Sequence, residues 1–205
     1  MASIASVTLG VSDPQAADAF YATAFGLGPR LGFHTGEEPS EGFRGFTLSL
    51  VVSQPGTVDT LVGAALDAGA TSLKPASRSF WGYGGVVRAP DGAIWKVATS
   101  NKRDTGPATR EVDELALLLG VADVKATKRF YVERGLEVAK SFGGTYVQFA
   151  AAPGSPVTLG LYGRRALAKD AGVPEDGTGS HRIVVRGDLG PLTDPDGFVW
   201  EPASP

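Results

Sequence analysis

Two stretches of this chain repeat one another at an offset of about 110 residues. Gly10-Val11-Ser12-Asp13, Phe20-Tyr21, Gly26-Leu27 and Pro90-Asp91-Gly92 with Trp95 are answered by Gly120-Val121-Ala122-Asp123, Phe130-Tyr131, Gly135-Leu136 and Pro195-Asp196-Gly197 with Trp200. Asp to Phe-Tyr spans seven residues in both, and Pro to Trp spans five in both, spacings that shared composition does not produce. The sequence therefore reads as a tandem duplication. A unit of this length is too long for a solenoid repeat and suits a supersecondary unit that cannot cover its own sheet, so two copies are expected to pair. With 205 residues the chain is long enough to bury a core. It divides into a first unit over 1–100, a polar linker over 101–110 that contains Gly106-Pro107, and a second unit over 111–205.

Alternation and capping residues order the elements. Ile4 to Val11 and Glu114 to Val121 alternate apolar with small or polar residues, the period of a strand with one covered face. Asp13 and Pro14 predict a helix from Pro14 to Phe25; further helices are expected over Thr57–Ala68, Val124–Arg134 and Arg165–Ala171. Arg30 to His34 and Phe43 to Ser53 read as a hairpin pair. Ala70–Leu73, Val86-Val87 and Ile94–Ala98 complete the first unit, with the last two flanking the Pro-Asp-Gly turn. Strands at Leu136–Ser141, Thr145–Ala150, Pro156–Tyr162, His181–Val185 and Phe198–Pro202 complete the second.

Composition removes several classes of function. The net charge is −3 with scattered basic residues, and nucleic-acid binding needs a continuous basic surface, so no nucleic-acid partner is expected. No apolar run approaches the ~20 residues that span a bilayer, and the N-terminus lacks the basic start of a signal peptide, so no membrane partner and a cytoplasmic location are expected. The chain has no cysteine, which excludes disulfides, thiolate metal sites and cysteine nucleophiles.

The ordered set of motifs, Gly-Val-x-Asp ending a strand, Phe-Tyr on the following helix, Gly-Leu, then a closing Pro-Asp-Gly-x-x-Trp turn, resembles the vicinal oxygen chelate superfamily of glyoxalases, bleomycin-resistance proteins and extradiol dioxygenases. The resemblance implies an α+β fold in which tandem βαβββ modules pair into a curled mixed sheet, a cup with helices outside. It also implies metal ligands at the first and last strands of each module. Those positions hold Ser6 and Lys96 in the first repeat, Ala116 and Glu201 in the second. Only Glu201 is a good ligand for a divalent ion, so no cofactor is expected; a divalent metal held by Glu201 with His181 stays open, one ligand short of the usual three.

Strand alternation sends Ser6, Thr8, Lys96, Ala116 and Glu201 to the cup face. Lys96 and Glu201, as pseudo-equivalent residues, are expected to form an ion pair across the two-fold; the other reading is that both reach solvent. Aromatic residues supply the binding surface: Phe80, Trp81 and Tyr83 among glycines, with Phe33, Phe43, Phe46, Tyr146, Phe149 and Tyr162 on cup strands. Part of this set belongs to the core, as do Phe20, Tyr21, Phe130, Tyr131, Trp95 and Trp200. The resulting candidate site is Lys96 and Glu201 as catalytic groups, with Ser6, Thr8, Phe33, Phe43, Trp81, Tyr83, Tyr146, Tyr162 and His181 as ligand contacts. Three functions remain open. The first is a protein that holds a planar small organic molecule between modules. The second is a lyase, isomerase or dioxygenase-type enzyme using a non-standard metal site or Lys96/Glu201 acid–base chemistry. The third is a ligand-free interaction protein. A monomer and a homodimer are both compatible with a chain that contains its own pair of modules.

Overall fold

The structure is a computed structural model describing residues 2–36 and 38–203. The first half contains β1 (Ile4–Val11), α1 (Pro14–Ala24), a 3₁₀ turn (Gly28–Arg30), β2 (Leu31–Thr35), β3 (Ser40–Gly42), β4 (Phe46–Val51), α2 (Pro55–Asp67), β5 (Thr71–Ser79), β6 (Gly82–Arg88) and β7 (Ile94–Thr99). The second contains β8 (Glu114–Val121), α3 (Val124–Val132), β9 (Val138–Phe142), β10 (Tyr146–Phe149), β11 (Val157–Gly163), α4 (Arg164–Ala171), β12 (Gly177–Gly179), β13 (Ile183–Gly187), β14 (Leu192–Thr193) and β15 (Val199–Glu201).

These strands form an eight-stranded sheet in the order β5-β6-β7-β4-β8-β11-β10-β9 and a five-stranded sheet in the order β14-β15-β13-β1-β2, with β3 and β12 paired separately. In the larger sheet, β4-α2-β5-β6-β7 and β8-α3-β9-β10-β11 are complete βαβββ units whose first and last strands run parallel, and the units meet along the antiparallel β4–β8 seam. The smaller sheet follows the same layout with pieces missing. β1 and β2 are parallel across α1, β13 and β15 are parallel, and the seam is antiparallel β1–β13. Each sheet therefore joins a piece of the first half to a piece of the second.

The expected hairpin between Arg30–His34 and Phe43–Ser53 does not form. β2 instead lies parallel to β1, the crossover being α1, and β4 belongs to the other sheet. α1 satisfies this geometry locally. Asp13, extended at φ −134°, accepts from the Ala16 N–H, and Pro14 occupies the first turn where no donor is needed. Asp123 does the same for α3, accepting from Lys125 and Ala126 N–H.

The main core lies between the rear faces of the sheets and α1, α2 and α3. Leu48 and Leu50 of β4, Leu115, Leu117 and Leu119 of β8, and Val7 and Leu9 of β1 all point there and are fully buried. The repeated motifs converge in it. Trp95 Nε1 donates to the Tyr21 hydroxyl at 3.1 Å, which donates to Asp91 at 2.8 Å. Trp200 Nε1 donates to Tyr131 at 3.0 Å, which donates to Asp194 at 2.8 Å. Here the halves diverge: the second takes the acid two positions earlier, before the proline. That leaves Asp196 free to accept from the Ala122 N–H (2.6 Å) and the Thr127 hydroxyl (2.7 Å). Gly92 and Gly197 sit at φ +90° and +91°, backbone that only glycine adopts without strain, which accounts for the glycine in both turns.

α4 is the exception among the helices. Its Leu167, Ala168 and Ala171 pack with Phe43, Val86 and Ile94 in a second, smaller apolar cluster on the opposite face of the eight-stranded sheet, inside the cup.

Candidate functional site

Alternation along the central strands decides what the cup displays. With Leu48, Leu50, Leu115 and Leu117 turned to the core, Ser49, Ala116 and Thr158 face the cup. Together with Lys96 they form one row across β7-β4-β8-β11, as Lys96–Ser49, Ser49–Ala116 and Ala116–Thr158 neighbours. α4 fills one end of the cup. Two adjoining cavities of about 430 and 240 Å³ remain at the other, sharing Val51, Lys96, Ala98 and Asp170 in their walls.

Lys96 does not meet Glu201. Its ammonium pairs with Asp170 of α4 at 2.7 Å, while Glu201 lies in the five-stranded sheet and pairs with Arg186 on the neighbouring strand. The two residues are equivalent in sequence but belong to different sheets, because each half of the chain ends its last strand in a different sheet. Ser6 and Thr8 follow Glu201 into the smaller sheet, where Ser6 neighbours Arg186 and Thr8 neighbours Gly32 and Val184. They are thus on the other sheet from the cavities.

The metal implied by the resemblance does not fit these residues. The central row of the eight-stranded cup offers Lys96, Ser49, Ala116 and Thr158, a cation and no carboxylate, and the carboxylates beside it, Asp170 and Glu114, are engaged by Lys96 and Thr158; the five-stranded sheet offers Ser6 and Glu201 with the Arg186 guanidinium between them. A fixed cation in either row opposes a divalent ion. His181 offers no rescue. Its Nδ1 meets the Arg44 carbonyl at 2.5 Å, its Nε2 meets the Asp196 carbonyl at 3.0 Å, and its ring stacks on Phe198, so it ties loops together and has no free nitrogen to give. Among the described residues no three His, Asp or Glu come together in a ligand set.

The aromatic candidates separate into core and cup. Phe33 stacks on Tyr21 at the edge of the core, Phe46 and Phe149 are buried in it, and Phe43 is buried beneath α4 with Arg164 over its ring. Tyr83 turns to the rear of its sheet, where its hydroxyl donates to Asp59 of α2 at 2.7 Å, a bond that raises its pKa. Tyr146 and Tyr162 do face the cup, with ring centroids 4.7 Å apart, and Phe142 stacks on Tyr146 at 6.0 Å. Burial pushes the Tyr162 phenol up to about 12, helped by Tyr146 and Asp170, and burial and Glu114 raise Tyr146. Both stay protonated at neutral pH and can donate.

Across the cup, Phe80 and Trp81 form the tip of the β5–β6 hairpin, 79 % and 82 % exposed and edge-to-face at 5.0 Å. The tip is a tight turn followed by Gly82 at φ +139°. Trp81 stands on the wall of the larger cavity. The floor between these aromatic walls carries Lys96, Ser49, Gln148 and the Thr158 hydroxyl, which donates to Glu114 at 2.5 Å.

Sequence reasoning missed Ser49, Phe142, Gln148 and Asp170. Ser49 was within reach of the rule that exposed Ala116, since it alternates with Leu48 and Leu50. Phe142 and Tyr146 flank Gly143-Gly144, a hairpin signal that places them side by side. No sequence signal puts Asp170 in the cup, because helices were expected behind the sheets.

No family model and no curated protein match the chain. Solved structures do. Glyoxalase I from Zea mays is similar at 14 % identity over 98 % of this chain and 91 % of that one, with a TM-score of 0.64. A putative dioxygenase from Bacillus subtilis subsp. subtilis str. 168 is similar at 15 % identity over 90 % of this chain and 69 % of that one, with a TM-score of 0.54. The chain thus shares the fold of these glyoxalase I and dioxygenase structures. Among the described residues no helix is long and apolar enough to cross a membrane.

Proposed function

We propose that the protein binds a planar aromatic small molecule in the open end of the eight-stranded cup, and that it does so without a metal. The observation that carries this reading is the aromatic side chains on two adjoining cavities, Trp81 in the wall of one and Tyr146 and Tyr162 in the wall of the other, beside a floor of polar side chains. Flat ligands are held in this way, by ring faces for affinity and a few polar groups for orientation. A large indole exposed at a turn, where Gly, Asn, Asp or Ser normally sit, also favours a binding role over a purely structural one.

The test is a panel of neutral aromatic compounds, 2-naphthamide among them, read by the ligand-induced rise in melting temperature and by titration calorimetry. Trp81→Ala and Tyr146→Ala are each expected to weaken binding roughly 2- to 10-fold, the range of one aromatic pair at about 0.5–1.5 kcal/mol. Ser6→Ala and Glu201→Gln, in the smaller sheet, are expected to leave binding unchanged. A ligand whose affinity follows the second set and ignores the first overturns the reading. Chemical conversion of the bound compound, lost in Lys96→Met, would make the site that of a metal-independent lyase or isomerase.

A further inference from the structure

The aromatic reading leaves the polar end of the ligand unspecified, and the contact between α4 and the cup floor specifies it. Asp170 lies in the last turn of α4, where a carboxylate faces the partial negative charge of the helix's own terminal carbonyls. Two lysines from the first half of the chain hold that end in place. Lys74 donates to the Lys169 and Asp170 carbonyls at 2.8 and 2.6 Å, and Lys96 donates to the Asp170 carboxylate at 2.7 Å. The helix itself is anchored by Leu167, Ala168 and Ala171, so the Asp170 side chain can turn away without the helix moving.

The side chains of the Lys96–Asp170 pair keep 34 % and 43 % of their surface exposed, and a pair open to water to this extent is weak and readily exchanged. Beside it, Ser49 Oγ is buried, faces the cup and has no hydrogen-bond partner, and its residue is 8 % exposed. Lys96 and Ser49 are neighbours across the β4–β7 register. The other carboxylate of the cup, Glu114, is engaged by Thr158 and sits on β8, two strands from Lys96.

We infer that Asp170 holds the place of a ligand carboxylate: the cup takes an aromatic acid whose anionic group displaces Asp170 from Lys96 and accepts the Ser49 hydroxyl, with the ring lying between Trp81 and the tyrosines. This rests on the aromatic-binding reading and adds the charge of the ligand to it. The exchange is one carboxylate for another, so the Lys96 ammonium stays paired throughout and no buried charge is left alone. The phenols of Tyr146 and Tyr162, held protonated, add donors on the same side as the incoming anion.

Titration calorimetry with 2-naphthoate and 2-naphthamide, which share a ring system and differ in charge, tests this. The wild-type protein is expected to prefer the acid by about 5-fold, the gain of a charge-assisted hydrogen bond set against loss of the internal pair. Asp170→Asn removes the internal competitor and should widen the preference for naphthoate over the amide a further ~10-fold. Lys96→Met should abolish the preference for the acid over the amide. Asp170→Ser repeats the test should the Asn variant not fold. Equal affinity for acid and amide in wild type and Asp170→Asn, or preference for the amide, overturns the inference while the aromatic reading stands; binding of neither compound overturns both.

Discussion

The two sheets are laid out by one rule, a parallel pair, an antiparallel seam and a second parallel pair, and they have been used differently. The eight-stranded sheet keeps both βαβββ units whole, and its cup face carries α4, two cavities and an aromatic rim. The five-stranded sheet lacks the strands between α1 and β2 and any helix between β13 and β14, and its equivalent face is a row of Ser6, Arg186 and Glu201 closed by its own ion pair. The rear faces tell the opposite story, since both pack into one continuous core with the same Tyr-Trp-Asp contact repeated. Loss of strands from an edge removes a cup wall without touching the core behind the seam. A scaffold of two like sheets can therefore keep an open cup on one of them while both contribute to a single core.

If the rear faces are equal in this sense, Trp95→Ala and Trp200→Ala should each cost about 3–5 kcal/mol in denaturant unfolding, the range for a buried aromatic cut to Ala. A much smaller loss for Trp200→Ala would show that the smaller sheet has slackened behind as well as in front. The hydroxyls bonded to these indoles give the next largest effect. Tyr21→Phe and Tyr131→Phe each leave an indole N–H and a carboxylate short of a partner, at about 1–3 kcal/mol. Tyr131→Phe should cost more, because Asp194 is buried and burial already raises its pKa.

That contact also shows what the sequence makes legible. Phe-Tyr, Pro-Asp-Gly and Trp recur because one buried cluster needs them at fixed places, and the caps Asp13 and Asp123 and the glycines Gly92 and Gly197 recur because backbone geometry needs them. Strand and helix order followed from these local demands. What did not follow was the assignment of strands to sheets. Alternation tells which face Lys96 and Glu201 occupy on their own strands, but it carries no record of the strand's neighbours, so two equivalent residues looked like partners when a sheet boundary separates them. Asp170 was hidden for a related reason. An amphipathic helix shows which of its faces is buried, and nothing in that pattern distinguishes the front of a sheet from the back.

Alkaline pH separates the cup from the core by a smaller effect. All five tyrosines carry raised pKa values. In the unfolded chain they ionise near 10, so the stabilisation is complete below pH 10 and is lost as pH climbs toward the folded values. For Tyr162, whose hydroxyl belongs to the cup, that window runs from pH 10 to about 12. Tyr162→Phe should flatten the fall in stability there without changing stability at pH 7, as read from urea midpoints across the range. The surface pairs come next. Glu201→Gln and Lys96→Met should each change stability by less than ~1 kcal/mol, since both ion pairs are open to water.

Acid should show the smallest difference, and only in the five-stranded sheet. Asp188 accepts from the Ser3 N–H and hydroxyl at 2.9 Å, bonds that lower its pKa below 3.8. Their contribution is present above the unfolded value and fades as pH falls through the folded one. Asp188→Asn should remove that slope, and amide exchange at the start of β1 would register it.

The assignment of strands to sheets has a kinetic side. Every strand of the eight-stranded sheet comes from one unbroken run, Phe46 to Gly163, whereas the five-stranded sheet must bring Ile4–Thr35 together with Ile183–Glu201 from the two ends of that run. Closing so long a loop is entropically slow unless something has already shortened it. The large sheet is that something: once folded, it delivers β1 and β13 to the same side of one body. Refolding should accordingly show β4 and β8 amides protected first and the β1–β13 seam last, with the two ends of the chain acting as the clasp on a structure assembled from its middle.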